Sequence, residues 1–417
     1  MENLNNKHSD LSILFLMTLF IVCSRGLFEL SIGQMYGYIF QSLFCCLFFS
    51  VLFSKIFSIN GLRLYLIGSR RPAWKINFLF YLLFFFVAAI SSIYTCLFSG
   101  FEWSFLYVSV TCYLLSFFLF SSSFILAEKV RIRYDLIISV VVIILVTVAF
   151  YEQITGRGMP GSAWLVIVRP ASLTGSKQHY SMILAILSLI LIELYRPKKN
   201  VYLLSIIFYG SIGVFFSLTR SGFFIMFIAF VYVFILMMLG NKHLGRKIGV
   251  GLFFLLMIIL VLFNTENEII SRAISTFNFS SAGNSERIDA WLRAFDLWAD
   301  GPLLIGHMTG IVTQVTGKIV TGQEINHVES GVFQQVLNFG IIGAILFFYF
   351  FYAIYQSTHR KHIYLRGLLV GCLLQTFVYM SIEVIPFMFL VSLLPLISDQ
   401  LTEDSRIYKN ANFDLRS

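Results

Sequence analysis

Residues 217–239 read SLTRSGFFIMFIAFVYVFILMML, a short polar stretch followed by seventeen consecutive apolar residues. As a helix this apolar run is about 26 Å long, close to the thickness of the hydrocarbon core of a bilayer. A segment inside lipid must satisfy its own backbone hydrogen bonds, and a helix does so. The stretch therefore predicts a transmembrane helix that begins at its polar residues.

Apolar blocks of this kind recur along the 417 residues, of which 58% are hydrophobic and 12% are charged. An average soluble domain is about a quarter charged. The composition excludes a soluble enzyme, a nucleic-acid-binding domain and a disordered chain, and the solid runs exclude an outer-membrane barrel, whose strands alternate. We predict an all-α polytopic membrane protein with about twelve transmembrane helices, at 11–24, 35–54, 76–98, 103–127, 134–151, 180–195, 201–218, 222–239, 248–263, 330–355, 364–382 and 384–398.

The basic residues are distributed unevenly between the two sides of these helices. Of the 30 lysines and arginines, 21 lie at the termini or in the even-numbered connections. The positive-inside rule therefore predicts that both termini are cytoplasmic. The net charge of +9 is a topology signal, and we assign it no nucleic-acid partner.

The predicted connections divide the chain into four parts. Residues 1–263 carry transmembrane helices 1–9, with an outer loop at about 152–179. Residues 264–329 form a large cap outside the membrane, residues 330–398 carry helices 10–12, and residues 399–417 form a cytoplasmic tail. Within the cap, apolar residues at 288, 291, 292, 295 and 298 predict an amphipathic helix at about 285–300.

The sequence shows neither a metal motif nor an internal repeat. All six cysteines lie inside apolar runs without metal-ligand spacing, so we predict no metal and no cofactor. A transporter is often built from repeated halves, with polar groups at the middle of the bilayer. Here the polar groups gather at one face, which favours an enzyme over a transporter.

Three predicted helices, the sixth, eighth and tenth, begin on the outer side of the membrane. A helix start carries partial positive charge and free N–H groups, both of which favour an anion. Arg169 precedes the sixth helix, Arg220 opens the eighth, and Arg287 stands in the first turn of the cap helix. Because arginine binds phosphate through a planar fork, this set predicts a pyrophosphate site.

Other polar residues near these helix starts are weaker candidates. Lys177, His179 and Arg293 could bind substrate. Lys177 and Arg293 have a second interpretation, in which a long basic side chain only extends its charge to the membrane interface. Arg25 is interpreted as a residue of the latter kind. His327 and Glu329 precede the tenth helix, and either could act as a base. The histidines at 359 and 362 are interpreted as solvated loop residues.

Four motifs in order resemble those of the O-antigen ligase and O-antigen polymerase (Wzy-type) superfamily. They are Arg169-Pro170-Ala-Ser-Leu-Thr-Gly175, Thr219-Arg220-Ser221-Gly222, Arg287-x-x-x-Trp291 with Pro302 and Gly306-His307-Met-Thr-Gly310, and Glu329-Ser330 with Gly340-Ile-Ile-Gly343. The resemblance covers about Arg169 to Gly343, and the first five helices match only in hydropathy. The ligases of this family carry a histidine at the position of Glu329, whereas His327 is two residues early, so the resemblance favours a polymerase.

The resemblance implies a glycosyltransferase C-like membrane enzyme of the bacterial inner membrane, in lipopolysaccharide or related polysaccharide biosynthesis. Its substrates would be oligosaccharides linked to undecaprenyl pyrophosphate, joined on the periplasmic face without a metal. Arg169, Arg220 and Arg287 would bind the pyrophosphate, and Glu329 or His327 would be the catalytic base. Candidate partners are a chain-length regulator and a flippase of the same pathway. The alternatives are a ligase that transfers glycan to lipid A-core, and a flippase or transporter of lipid-linked oligosaccharides.

Overall fold

The computed structural model describes residues 2–32, 40–48, 50–51, 132–156, 170–217, 219–239, 282–301, 303–304, 306, 328, 330–381 and 384–414. The regular structure of these residues is helical, with no strand among them. The helices are labelled α1 (Glu2–Cys23), α2 (Arg25–Ile32), α3 (Tyr134–Thr155), α4 (Lys177–Lys198), α5 (Val201–Phe216), α6 (Arg220–Leu239), α7 (Ala282–Ala299), α8 (Gly331–Ser357), α9 (Ile363–Val378) and α10 (Ile385–Asp414). Residues 40–48 are also helical.

Eight of these helices coincide with predicted spans. Five, namely α3, α4, α6, α8 and α10, are long and apolar enough to cross a membrane, and shorter apolar helices lie at Leu11–Cys23, Val201–Phe216 and Ile363–Val378. The prediction of an all-helical membrane protein is therefore confirmed. The spans expected at 76–98, 103–127 and 248–263, and part of that at 35–54, lie outside the described residues, so the number twelve stays a prediction. Helix α10 continues through most of the stretch predicted as a tail.

Local sequence explains where several helices begin and end. The side chain of Asn200 accepts a hydrogen bond from the backbone N–H of Tyr202 at 3.0 Å, and Ser330 Oγ accepts one from the N–H of Phe333 at 3.3 Å. Both are N-caps that satisfy an N–H group left free at a helix start. Helix α3 ends at Gly156, whose φ of 64° suits a residue without a Cβ.

Helices α4 and α10 form the centre of the bundle. In their most apolar stretches 78% and 94% of the residues are buried, against 28% in α6. Phe389 of α10 packs on Phe15 of α1 and on Phe48, with ring centroids 6.4 and 5.8 Å apart. The N-terminal helix is thereby attached to the centre of the molecule.

Small residues bring α6 close to α9 and to α4. A Cβ added at Gly371 or Gly367 of α9 would lie 2.7 or 2.8 Å from a carbonyl oxygen of α6. These two glycines form a Gly-x-x-x-Gly pair, which lets the backbones of membrane helices approach each other. At the other end of α6, a Cβ at Gly222 would clash with the carbonyl oxygen of Ser181 in α4. The start of α6 is therefore packed against the start of α4.

The end of α4 carries a buried polar cluster, at the opposite end of the bundle from the helix starts. Glu193 accepts hydrogen bonds from Arg196 at 2.7 Å and from the N–H of Tyr364 at 2.9 Å, and its Oε1 lies 3.2 Å from His362 Nδ1. His362 Nε2 also lies 3.1 Å from Thr402 Oγ1. The interpretation of His362 as a solvated residue is wrong, because this loop folds back between α4 and α10.

Candidate functional site

The first turns of α4 and α6 are joined by hydrogen bonds. Ser221 Oγ donates to the carbonyl oxygen of Gln178 at 3.3 Å, and Thr219 Oγ1 donates to that of Lys177 at 3.5 Å. Arg220, the first residue of α6, is partly buried, whereas Lys177, the first residue of α4, is exposed. The Thr-Arg-Ser-Gly motif therefore places an arginine beside the start of α4.

The first turn of α8 reaches the same place through Tyr379, which follows the end of α9. The backbone N–H of Gly331 donates to the carbonyl oxygen of Tyr379 at 3.2 Å. The hydroxyl of Tyr379 lies 3.2 Å from His179 Nε2 in α4. The expected meeting of the three helix starts is thus seen in the structure, and Tyr379 is the residue that links two of them.

His179 is also bonded to an arginine from the beginning of the chain. Arg25, the first residue of α2, lies with its Nη1 3.1 Å from His179 Nδ1. Arg25, His179 and Tyr379 are only 7%, 5% and 7% exposed. The interpretation of Arg25 as a residue that extends its charge to the interface is therefore wrong, since its side chain is buried against α4.

The segment before α4 is anchored by a buried carboxylate. Glu152, near the end of α3, accepts hydrogen bonds from the N–H groups of Ala171 at 3.0 Å and Ser172 at 2.7 Å through one oxygen. The hydroxyl of Ser172 donates in turn to the carbonyl oxygen of Leu145 at 2.6 Å. The backbone that directly follows Arg169 and Pro170 is therefore held against α3.

The cap helix α7 packs on the first turns of α8. The rings of Trp291 and Phe333 lie 6.0 Å apart, and Ala294, Val328 and Leu337 form a buried cluster between the two helices. Arg287 is partly buried on this helix, and Arg293 is exposed. The cap helix is thus attached to the element that begins at the candidate site.

The buried face of α7 differs from the predicted one. Leu292 and Phe295, expected on the packed face, are 59% and 49% exposed. Trp291 and Trp298 lie on the packed face as predicted, together with Leu297 and the buried Ala294, which were not predicted there. Small alanine side chains let α7 approach α8 closely, which a count of large apolar residues does not detect.

Two glycines join the chain after α7 to a break in α8. Gly340 has φ 65° and ψ −162°, which interrupts the helix. The N–H groups of Ile341 and Ile342 then donate to the carbonyl oxygens of Leu303 and Leu304 at 3.1 and 3.3 Å. Gly306, at φ 70°, packs so tightly that an added Cβ would clash with the backbone nitrogen of Gly340. The glycines of two separate motifs therefore form one backbone contact.

The structure describes five of the eight candidate site residues. Lys177, His179 and Arg220 lie in the first turns of α4 and α6, and Arg293 is exposed on the cap helix. Arg287 lies in the second turn of α7 and not in its first turn as predicted, because the helix begins at Ala282. Arg169, His327 and Glu329 lie outside the described residues. Their immediate neighbours in the chain are placed: Pro170 directly precedes the anchored residues Ala171 and Ser172, and Val328 and Ser330 are buried at the start of α8. The roles of all eight residues stay predictions.

Three residues of this region were not among the candidate site residues of the sequence analysis, namely Arg25, Glu152 and Tyr379. Arginine is uncommon on the outer side of a membrane protein. This signal singled out Arg220, and it could have singled out Arg25 in the same way. Glu152 and Tyr379 carry no such signal, because nothing local distinguishes them from other interfacial residues.

Residues 205–348 match the family model described as O-Antigen ligase. This match supports the membership of the chain in the O-antigen ligase and polymerase superfamily that its motifs indicated. The matched stretch runs from α5 into α8, so it contains Arg220, the cap helix and the Gly306–Gly340 contact. The match indicates a function of the O-antigen ligase or polymerase type and does not distinguish between the two. No match to a curated protein was found.

The contact between Gly306 and Gly340 should be required for activity. Gly306→Ala adds a Cβ both at a positive φ and against the backbone of α8. Gly156→Ala is the matched control, because Gly156 has a similar φ of 64° but no atom of the described residues lies within 4 Å of the added Cβ. Both variants should lose about 1 kcal/mol of stability from the backbone conformation, measured by thermal unfolding of the purified protein. Only Gly306→Ala should lose additional stability and also lower glycan synthesis in cells. Equal effects of the two substitutions on stability and synthesis would contradict the proposed importance of the contact.

Proposed function

We propose that the protein is a polymerase that joins oligosaccharide repeat units linked to undecaprenyl pyrophosphate, on the periplasmic face of the inner membrane. The observation that carries the proposal is the meeting of three helix starts, with Arg220 on one of them and the cap that bears Arg287 docked on another. The partial positive charges of the three helix starts are concentrated at this meeting point. Such an arrangement favours a ligand with several anionic oxygens.

In the proposed reaction a hydroxyl of the acceptor sugar attacks the anomeric carbon of the donor glycan. The bond from that carbon to the diphosphate oxygen breaks, and the electron pair leaves with the diphosphate. Arg169, Arg220 and Arg287 stabilise the charge that develops on the leaving oxygen, which makes a metal unnecessary in this proposal. Groups that are already oriented toward such a charge lower the barrier without having to reorganise.

The base in the proposal is Glu329, which precedes the N-cap Ser330 of α8. It takes the proton of the acceptor hydroxyl as the new glycosidic bond forms. Both substrates are bound to lipid carriers in the same membrane, so the enzyme has only to orient them. The cap would contact the sugars and select among them.

Ligation of finished glycan to lipid A-core is the second candidate function. The description of the matching family as O-Antigen ligase favours it, and so does the presence of His327 two residues before Glu329. A ligase and a polymerase need the same diphosphate-binding groups and differ in the acceptor. The histidine that the family's ligases carry at the position of Glu329 is replaced here, which supports the polymerase.

Transport of lipid-linked oligosaccharide is less well supported. Transporters often bind ions or substrates at broken helices, where backbone groups are free. Helix α8 is broken at Gly340, but the N–H groups of the next two residues are already bonded to carbonyl oxygens of Leu303 and Leu304. The backbone groups at this break therefore serve to attach the cap to α8, which does not favour a role in binding a transported substrate.

Arg220→Ala and Arg287→Ala should each lower polymer synthesis by about 10²–10³-fold, because each removes a donor to the leaving oxygen. Arg220→Lys should recover only part of the activity, since lysine lacks the planar fork. The measurement is the ladder of chain lengths in a deletion strain that expresses each variant at equal level. Arg360→Ala, an exposed arginine at the opposite end of the bundle, is the control and should give a normal ladder. Normal ladders from both site variants would refute the anion-binding role.

Glu329→Gln should abolish polymerisation, because the amide cannot take a proton, whereas His327→Ala should retain it. Initial rates on purified lipid-linked repeat units measure both effects. If Glu329→Gln is fully active and His327→Ala is inactive, the histidine is the base and the ligase becomes the better assignment.

Deletion of the gene should leave single repeat units on the undecaprenyl carrier, because a polymerase acts before the chain grows. Mass spectrometry of the extracted lipid-linked intermediates distinguishes the candidates. Long polymer accumulating on the carrier would instead identify a ligase, and unprocessed repeat units confined to the cytoplasmic leaflet would identify a flippase.

A further inference from the structure

The hydrogen-bond chain from Arg25 through His179 to Tyr379 has a direction that its chemistry determines. A guanidinium group has only donors, so His179 Nδ1, 3.1 Å from Arg25 Nη1, must be an unprotonated acceptor. The proton of the imidazole is then on Nε2, which donates to the hydroxyl oxygen of Tyr379 at 3.2 Å. The opposite direction would place two N–H groups against each other.

This direction determines what the hydroxyl of Tyr379 can do. Its oxygen accepts from His179, so its own proton points away from the imidazole and is donated elsewhere. The hydroxyl lies beside the first turn of α4, whose backbone is bonded to the first turn of α6, and the carbonyl group of Tyr379 is bonded to the first residue of α8. Tyr379 is therefore an oriented donor located among three helix starts.

Two buried amide groups lie one helical turn below the contact between Gly331 and Tyr379. Gln335 follows Gly331 by one turn of α8, and Gln375 precedes Tyr379 by one turn of α9. Among the described residues, Gln335 Nε2 and Gln375 Oε1 have no hydrogen-bond partner although both side chains are buried. Buried polar groups of this kind are uncommon in folded proteins unless they bind a polar ligand or water. They indicate that the polar character of the site continues toward the bundle interior.

We propose that Tyr379 is a further substrate-binding residue, whose hydroxyl donates a hydrogen bond to a diphosphate oxygen of the lipid-linked donor. Arg25 and His179 are positioning residues that hold this hydroxyl in the donating orientation. The inference rests on the proposed function, which supplies the diphosphate. An anionic acceptor is favoured over a neutral sugar hydroxyl because the helix starts around Tyr379 contribute partial positive charge.

The test compares Tyr379→Phe with Tyr180→Phe. Tyr180 follows His179 in α4 and is fully buried, and its hydroxyl makes no hydrogen bond to any residue that the structure describes, so its removal controls for the loss of a buried hydroxyl. The purified proteins are placed in lipid nanodiscs and titrated with undecaprenyl diphosphate that carries no sugar. Tyr379→Phe should weaken binding by about tenfold or more, and Tyr180→Phe should bind like the unmodified protein. Equal affinities of the two variants would overturn the proposal.

The positioning roles are tested by substitutions of His179 and Arg25. His179→Gln offers a carbonyl oxygen to Arg25 and an N–H to Tyr379, so it should bind the diphosphate more tightly than His179→Leu. Arg25→Met combined with Tyr379→Phe should bind no more weakly than Tyr379→Phe alone, because the residues act through one chain. The proposed hydrogen-bond chain would be contradicted if the double variant lost affinity by the product of the two single losses. It would also be contradicted if His179→Gln and His179→Leu bound the diphosphate equally.

A parallel assay of polymer synthesis on lipid-linked repeat units separates this inference from the proposed function. If the unmodified protein binds undecaprenyl diphosphate, Tyr379→Phe weakens the binding and no polymer forms in any sample, the polymerase assignment fails and the role of Tyr379 stands. If polymer forms and Tyr379→Phe changes neither its rate nor diphosphate affinity, the role of Tyr379 fails and the polymerase assignment stands.

Discussion

Tyr379 joins two helix starts by two hydrogen bonds, one from its hydroxyl to α4 and one from its carbonyl group to α8. In a membrane-embedded bundle the hydrophobic effect does little to bring helices together, so close packing and interhelical polar contacts decide which ends meet. The hydroxyls of Thr219 and Ser221 add the third start, that of α6. The location of the candidate site depends on these contacts, because they bring together segments that are far apart in the chain.

The same end of the bundle contains an unusual amount of buried polar surface. Arg25, Glu152 and His179 are all buried, and each is bonded to a partner from another helix or loop. Burying such groups is costly unless their hydrogen bonds are satisfied. At the opposite end of α4, Glu193 forms a cluster of the same kind with His362. Polar contacts thus hold both ends of a helix whose middle is packed by apolar residues.

The attachment of the cap depends on backbone geometry. The break at Gly340 frees the N–H groups of the next two residues, and the cap supplies the carbonyl groups that bind them. Neither Gly306 nor Gly340 can carry a side chain without a clash or a strained φ, because both lie in the left-handed region and their backbones touch. This gives a physical reason for glycines that the sequence analysis knew only as parts of two motifs. The cap and the helix that begins at the candidate site are consequently coupled.

Among the described residues, the sequence by itself determined the positions of eight apolar helices and which of their starts lie at the same end of the bundle, because hydropathy and charge bias are properties of consecutive residues. Arg220 and the cap helix were found in this way, and residues 205–348 match the family that the motifs indicated. Only the tertiary structure decided that Arg25 contacts His179 and that His179 contacts Tyr379, since these partners are 154 and 200 residues apart. It also decided which face of α7 packs on α8, where alanines allow a closer approach than the larger residues counted in the sequence. Contacts of this kind depend on how whole helices pack, and no local pattern of residues contains that information.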